Sequence, residues 1–456
     1  MTVRPARLAG ELTLPASKSV AQRALIATAL TGRRFEKNAP VFRIDYPGAD
    51  VISIAHAMAA LGSLEIEQAT DDVLIVRALG TPTDLGSPEA PLVLDCGNSG
   101  TGMRLLMGAL AGLLADRPGA VTLTGDASLS ARPMERVAFP LRRMGARIET
   151  AAGHAPLTVT GPAPLAPIDI ALPVPSAQIL TALCLAALAT DGTTTIDLPG
   201  PSRDHTERFL AHCGVDISRS GETTTSTTIT GPANLELRSL DVPGDESSAA
   251  FWLAAAALHP DAEITMRDVG LNPTRTAFLT ALHDMGATIE IRPDAATGPE
   301  PTGTLIARSG APLRPIVIEG LRSADLIDEL PILAVVMAGT PGTSTVRDAA
   351  ELRVKESDRI TLTCEMLRAA GIDVIEHDDG FTITGSDHRY LETSGEVMRV
   401  RTDGDHRIAM AAAILEVTGV APRPIVADDE ACAAVSYPRF FDDLAALSGP
   451  RPAPAR

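Results

Sequence analysis

Aromatic side chains are scarce, making up 3% of 456 residues, with a single tryptophan. The core must therefore be built from Ala, Leu, Val and Ile, and no stacking platform for single-stranded nucleic acid is available. Positive charge is short as well: 39 Lys and Arg face 57 Asp and Glu, for a net charge of −18. Neither a nucleic acid nor an anionic membrane accepts so acidic a partner without a large local basic patch. The five cysteines, Cys96, Cys184, Cys213, Cys364 and Cys432, contain no C-x-x-C pair, which argues against a disulfide framework and a zinc site. The stretch 1–10 lacks the apolar core of a signal peptide, and the Ala-rich runs that follow are amphipathic or too short to span a bilayer. These absences together predict a reduced, cytoplasmic protein.

Hydrophobic content of 45% with 21% charged residues is ordinary for a globular chain. At this length one core stops growing, so at least two domains are expected. Against an acidic background, local clusters of Lys and Arg need a reason. A small anionic metabolite is one.

A helix-like run ending at Gly and followed by a β-branched segment recurs along the chain. The glycines are Gly62, Gly145, Gly214, Gly286 and Gly371, with a weaker sixth instance at Gly449. Each is expected to stop a helix in the left-handed conformation and hand over to a strand such as Thr288-Ile289-Glu290-Ile291. Earlier in each copy a small polar start precedes an Ala/Leu-rich helix. These starts are Ser17-Lys18-Ser19, Asn98 to Thr101, Ser176-Ala177-Gln178, Asp245 to Ser248, Asp328-Glu329 and Asp405-His406-Arg407. Helices that apolar must be nearly enclosed. The pattern predicts six copies of a strand, buried helix, strand, amphipathic helix, Gly, strand unit. The short strand 240–242, followed by Pro243-Gly244, marks a crossover between two three-copy domains. The Pro-rich tail 449–456 reads as disordered.

Five stretches carry polar residues that packing alone does not require. In 15–25, Lys18 and Arg23 stand where a strand gives way to a helix that Ser19 is placed to cap, making an anion site. The Gly-rich turn 94–104 presents bare amides around Asn98 and Gly100, with Arg104 one turn in, and is no Walker loop. The polar loop 125–134 holds Arg132 extended before Pro133. In 352–360 a strand end is expected to run into a helix with Lys355 and Arg359 on one face and Glu356 beside them. The last, 403–410, places His406 and Arg407 at the head of a buried helix. Asp328 precedes another, where a carboxylate cap is the plainer role.

In chain order, the motifs LPASKSVAQRAL, DCGNSGTGMR, GDASLSARPM, VPSAQ, PSRDHTER, PGDESSAAF, LIDELP, LRVKESDR and GDHRIAM resemble those of the 5-enolpyruvylshikimate-3-phosphate synthases, a branch of the enolpyruvyl transferases. The resemblance covers about 10–440. It implies an α/β fold of two domains, an inside-out α/β barrel or prism of six βαβαββ repeats, with buried helices and outward-facing sheets. The lobes would be 1–15 with 242–456, and 16–241, closing over a cleft between them. It also implies the reaction: the 5-hydroxyl of shikimate 3-phosphate adds to C2 of phosphoenolpyruvate, and loss of phosphate leaves an enolpyruvyl ether. The partners would be these two small molecules, no metal or organic cofactor would be needed, and the enzyme would be a monomer.

Carried over position by position, Lys18, Ser19, Arg23, Ser176, Ala177, Gln178, Arg203, Asp328 and Lys355 would bind shikimate 3-phosphate. Lys18, Arg132, Gln178, Arg359 and Arg407, with the amides around Asn98 and Gly100, would bind phosphoenolpyruvate. Asp328 and Glu356 would move protons, with Lys18 and Lys355 stabilising charge. Some positions depart from the family pattern. Ala177 stands where one branch has a second serine, Val435 replaces a frequent phosphate-binding lysine, and 41–50 is longer than usual. The sister transferase acting on UDP-N-acetylglucosamine normally carries a reactive cysteine before Arg132, and 125–131 has none. An acceptor from specialised metabolism, or a catalytically silent paralog, is the remaining alternative. Retention of all the charges together argues against the silent paralog.

Overall fold

The computed structural model describes residues 2–3, 7–295, 298–389, 392–393 and 396–448. The tail 449–456, including the sixth glycine, lies outside these residues. The chain forms two compact units. The N-terminal unit is Ala16–Pro243 with the described part of Ala296–Glu300, and the C-terminal unit is Met1–Pro15, Gly244–Ala295 and Pro301–Arg456. Each unit has its own hydrophobic core.

Each core is organised by three enclosed helices. In the N-terminal unit these are Lys18–Ala27, Gly100–Leu113 and Ala177–Ala187. Their counterparts in the C-terminal unit are Glu246–Leu258, Leu330–Ala338 and His406–Val417. Small alanines allow close approach, and a helix apolar all round has no face to offer water: every residue of Leu330–Ala338 is buried. Polar residues are then tolerated mainly at the helix starts, where backbone N–H groups lack partners.

Outside the helices lie the sheets. Leu92–Asp95, Gly119–Thr124, His154–Gly161 and Arg147–Ala151 are adjacent in that order, the first pair parallel and the rest antiparallel. Burial alternates along His154–Gly161, so one face meets the core and the other faces outward. The same order recurs in Asp169–Ala171, Gly192–Leu198, Thr225–Gly231 and Ile217–Ser220, and in Val317–Ile318, Gly342–Val346, Gly380–Gly385 and Asp373–His377. Gly62, Gly145, Gly214, Gly286 and Gly371 all have φ between 76° and 114°, as helix stops require.

Two further sheets exchange their first strands. Leu8–Thr13 precedes the helix Lys18–Ala27 of the N-terminal unit but pairs in parallel with Ala262–Gly270 of the C-terminal unit. Leu240–Asp241 precedes the helix Glu246–Leu258 but pairs in parallel with Val41–Asp45 of the N-terminal unit. The sixth copy is abbreviated: among the described residues it keeps only the parallel pair Met398–Val400 and Ile425–Ala427, with no antiparallel hairpin.

Three local expectations change. Ser17, not Ser19, occupies the N-cap of Lys18–Ala27, and it does so without a side-chain hydrogen bond. Arg23 therefore sits in the second turn rather than the first. The 125–134 segment contains a single helical turn, Ala127–Ser130, capped by Asp126. The stretch before Arg359 is a 3₁₀ turn, Ala350–Val354, instead of a strand. Among the described residues no helix is long and apolar enough to cross a membrane.

Candidate active site

The starts of the three buried helices of the N-terminal unit are tied together by side chains. Gln22 donates to Ser99 Oγ at 2.7 Å, and Ser99 in turn caps Gly100–Leu113 by accepting from the Gly102 amide. Arg104 donates to Gln178 Oε1 at 3.0 Å, and Gln178 Nε2 donates to Thr101 Oγ1 at 2.9 Å. Ser176 caps the third helix through the Ile179 amide. Arg132 reaches the same region, its Nη2 donating to Asn98 Oδ1 at 2.8 Å. Lys18, Asn98, Gly100, Arg132, Ser176, Ala177 and Gln178 are thus gathered on three neighbouring helix starts. The amides of Gly97, Ser99, Gly100 and Gly102 are already hydrogen-bonded, unlike the bare amides expected of the Gly-rich turn, but the three cations Lys18, Arg104 and Arg132 suit an anionic ligand.

Arg23 is 7% exposed and lies behind this cluster. Its guanidinium donates to the Ser19 carbonyl at 2.8 Å, Thr206 Oγ1 at 2.8 Å and Thr181 Oγ1 at 3.0 Å. Burial pulls its pKa down to about 10, with Arg203 adding and Glu207 and Glu300 opposing, so it stays cationic at neutral pH. The field of Arg203 is therefore felt at Arg23, placing the two predicted phosphate ligands within electrostatic reach. Glu207 is itself buried, and burial pushes its carboxyl up. Behind it His205 Nδ1 lies 2.7 Å from Glu300 Oε1.

In the C-terminal unit, Asp328 stands at the start of Leu330–Ala338. Lys355 Nζ is 3.7 Å from its Oδ1, and Arg359 Nη1 is 3.5 Å from the same atom. Glu356 meets Arg359 Nη2 at 2.8 Å. Arg359 is 1% exposed and also grips Asp405, with Nε 2.7 Å from Oδ2. Burial opposes its charge, but Asp405, Glu356 and Asp328 outweigh it and hold its pKa above the ordinary value. Asp405 is buried too, which raises its pKa, yet Arg359 and His406 bring it below the usual range. Arg407 Nη1 donates to the Asp328 carbonyl at 2.9 Å. Lys355 and Arg359 converge on one carboxylate, though Lys355 lies in a loop before the helix Arg359–Ala369. Glu329, rather than Asp328, holds the cap position of Leu330–Ala338, and neither caps it through a side chain.

Several functional neighbours were missed in the sequence. The unusual 41–50 stretch forms the strand Val41–Asp45 and a turn into the helix Ala49–Ala60, whose Asp50 meets Lys18 Nζ at 3.1 Å. A carboxylate in a first turn was the available signal. Thr206 lies in the quoted PSRDHTER motif, but Thr181 and Glu300 carried no signal, because they meet Arg23 and His205 only through tertiary packing. Among the described residues no cluster of His, Cys, Asp and Glu could hold a metal ion.

The family model for EPSP synthase (3-phosphoshikimate 1-carboxyvinyltransferase) matches residues 3–444. The 3-phosphoshikimate 1-carboxyvinyltransferase of Gloeobacter violaceus is 42% identical, over 97% of this chain and 98% of that one. The protein of the same name from Bacillus subtilis is 41% identical, over 97% of each. Among solved structures, EPSP synthase from Acinetobacter baumannii superposes with a TM-score of 0.82 at 32% identity, covering 98% of both chains. The enolpyruvyl transferase NikO from Streptomyces tendae, with a TM-score of 0.69 at 21% identity and the same coverage, shares the fold. With the family match spanning nearly the whole length and the quoted motifs falling at the helix starts of both units, the chain belongs to the EPSP synthase family.

Proposed function

We propose that this enzyme transfers the enolpyruvyl group of phosphoenolpyruvate to the 5-hydroxyl of shikimate 3-phosphate, releasing phosphate and forming 5-enolpyruvylshikimate 3-phosphate. The observation that carries the reading is Asp328, a carboxylate flanked by Lys355 and Arg359 with Glu356 on the same guanidinium. That arrangement supplies two carboxylates for proton transfer and fixed cations beside them.

On this reading, Ser19, Arg23, Ser176, Ala177, Gln178 and Arg203 hold the acceptor and its phosphate. Lys18, Asn98, Gly100, Arg132, Gln178, Arg359 and Arg407 hold phosphoenolpyruvate through its phosphate and carboxylate. Asp328 takes the proton of the 5-hydroxyl as its oxygen bonds to C2, and Lys355 stabilises the oxygen's developing charge. Glu356 delivers a proton to C3, giving a tetrahedral adduct. The bond from C2 to the phosphate oxygen then breaks as the departing phosphate takes up the proton held by Asp328, and Glu356, now a carboxylate, takes a proton back from the new methyl group to restore the alkene. Atoms and charge balance without a metal or redox partner. Lys18 belongs to both groups of contacts.

Phosphate release from phosphoenolpyruvate, measured with each acceptor separately, tests the proposal. Turnover with shikimate 3-phosphate and none with UDP-N-acetylglucosamine is expected, and the reverse outcome overturns it. Asp328→Ala should lower kcat by about 10²- to 10⁴-fold, the usual worth of a positioned acid-base group. Near-normal turnover in that variant removes Asp328 from proton transfer.

A further inference from the structure

The C-terminal unit holds a buried arginine that the reaction above does not use. Arg275 lies between the strand Ala262–Gly270 and the helix Ala277–Met285, and its side chain is 4% exposed. A guanidinium is rarely enclosed without a specific partner. Its Nη2 donates to Ser247 Oγ and lies 3.7 Å from Glu329 Oε1, while its Nε is 3.9 Å from Glu246 Oε2. Ser247 donates onward to Glu329 Oε1. The same Oε1 atom lies 3.7 Å from Arg407 Nη1, the nitrogen that donates to the Asp328 carbonyl.

One carboxylate oxygen is therefore shared by a hydroxyl and two guanidinium groups, one enclosed and one at the site. Glu329 is 4% exposed, and although it holds the cap position its side chain makes no cap hydrogen bond, so the role of that side chain is not explained by local helix chemistry. An enclosed carboxylate with a single cationic neighbour would swing towards it, and Arg407 would follow or be released. Arg275 and Ser247 oppose that swing from the far side of Glu329. The backbone of Arg275 is fixed independently, its amide donating to the Asn272 carbonyl at 2.8 Å, and Asn272 is fully buried.

Resting on the proposed function, we infer that Arg275 is a positioning residue: through Ser247 and Glu329 it fixes the guanidinium of Arg407 and so sets affinity for phosphoenolpyruvate. It does not touch substrate. Its loss should weaken phosphoenolpyruvate binding and spare shikimate 3-phosphate, a split that a general loss of stability does not produce.

The test uses Arg275→Lys, which keeps the charge but loses the planar fork, and Ser247→Ala, which removes only the bridging hydroxyl. Both should raise KM for phosphoenolpyruvate, by about tenfold and about threefold respectively, with KM for shikimate 3-phosphate within about twofold. In an Arg407→Lys background the Arg275→Lys effect should largely vanish, because the two act as one unit. A second readout is independent of turnover: the rate at which phenylglyoxal modifies Arg407, followed by peptide mass spectrometry, should rise in both variants. An unchanged KM for phosphoenolpyruvate in folded protein, equal losses for both substrates, full additivity with Arg407→Lys, or an unchanged modification rate each overturns the inference. If the wild-type enzyme fails to turn over shikimate 3-phosphate, the proposed function fails, while the modification rate still reports on the Arg275 to Arg407 link.

Discussion

Gly100 is the first residue of its helix, and its φ is not in the left-handed region, so alanine fits the backbone there. A Cβ at this position would lie 3.0 Å from Arg132 Nη1, 3.3 Å from Arg104 Nη1 and 3.6 Å from Leu129 Cδ1. The first two are the far ends of long side chains, which can shift by a few tenths of an ångström, and the third is an ordinary contact. Gly100→Ala should therefore leave the fold intact and shift stability by at most about 1 kcal/mol, the helix preference of alanine over glycine. What must give is the Arg132 guanidinium, which is tied to Asn98 Oδ1 at 2.8 Å. Hydrogen bonds to charged groups are worth about 1.5–3 kcal/mol, and misplacing one by a few tenths of an ångström forfeits part of that. A loss of about 1–2 kcal/mol in phosphoenolpyruvate affinity corresponds to a KM raised about 5- to 30-fold. Because Arg132 grips substrate and transition state alike on the proposed reading, kcat should change far less. Initial rates with phosphoenolpyruvate varied at saturating shikimate 3-phosphate, alongside a thermal melt, measure both effects. Unchanged KM for phosphoenolpyruvate in protein of normal melting temperature would refute the placement of Arg132 at that subsite. With glycine in place no methyl group narrows this corner, so glyphosate is expected to compete with phosphoenolpyruvate in the wild-type enzyme, and its failure to compete would refute that expectation.

Arg23→Lys keeps a cation but loses the fork that spans Thr181, Thr206 and the Ser19 carbonyl. KM for shikimate 3-phosphate should rise about 10- to 150-fold, matching one lost charged hydrogen bond, with KM for phosphoenolpyruvate little changed. Asp405→Asn leaves the buried Arg359 short of its closest carboxylate and should cost about 3–5 kcal/mol in urea unfolding at neutral pH. The pH dependence has a fixed sign, because the folded-state pKa of Asp405 is depressed. Its stabilisation is present above the unfolded value of about 4 and is lost as pH falls through the folded value, so wild type and variant should converge in acid. A stability gap that widens on acidification contradicts the Asp405 to Arg359 pairing.

The polar helix starts were legible because an enclosed Ala/Leu helix carries charge most readily in its first turns, which placed Lys18, Asp405 and Arg407 at or near the start. The left-handed glycines were legible for a similar reason: a helix that must turn back into a strand needs φ > 0 at one residue. The partners behind the site were not. Asp50 reaches Lys18 from the second helix of the same repeat, Glu300 reaches His205 from a chain segment assigned by sequence to the other lobe, and Arg275 reaches Glu329 from the preceding repeat. None of these pairs leaves a periodicity, since each is set by packing between elements rather than within one. The cap of the first helix was misread by two residues because Ser17 and Ser19 are both good caps, and the choice between them rests on where the strand releases the chain. The Ser17 amide donates to the Pro243 carbonyl at 2.7 Å, which fixes that point.

The repeat pattern was clear in the residues themselves, whereas the placing of 1–15 with the C-terminal lobe came only from the family resemblance. The entering strand Leu8–Thr13 and the leaving strand Leu240–Asp241 each precede a buried helix, as every copy requires, yet each pairs in the sheet of the other unit. A strand's own pattern records which face is buried and not which neighbour it joins, so exchanged and unexchanged versions read identically in sequence. The exchange has a physical consequence. Two of the four places where the chain passes between the units lie just before Lys18–Ala27 and Glu246–Leu258, where the Ser17 amide donates to the Pro243 carbonyl and the Asp245 amide to the Pro15 carbonyl at 2.8 Å. Those same helix starts carry Lys18 in one unit and Ser247, the bridge to Glu329, in the other. The residues that the proposed function and the Arg275 inference depend on are therefore placed next to the crossover strands, so a change in either crossover should register first in substrate affinity and only then in stability.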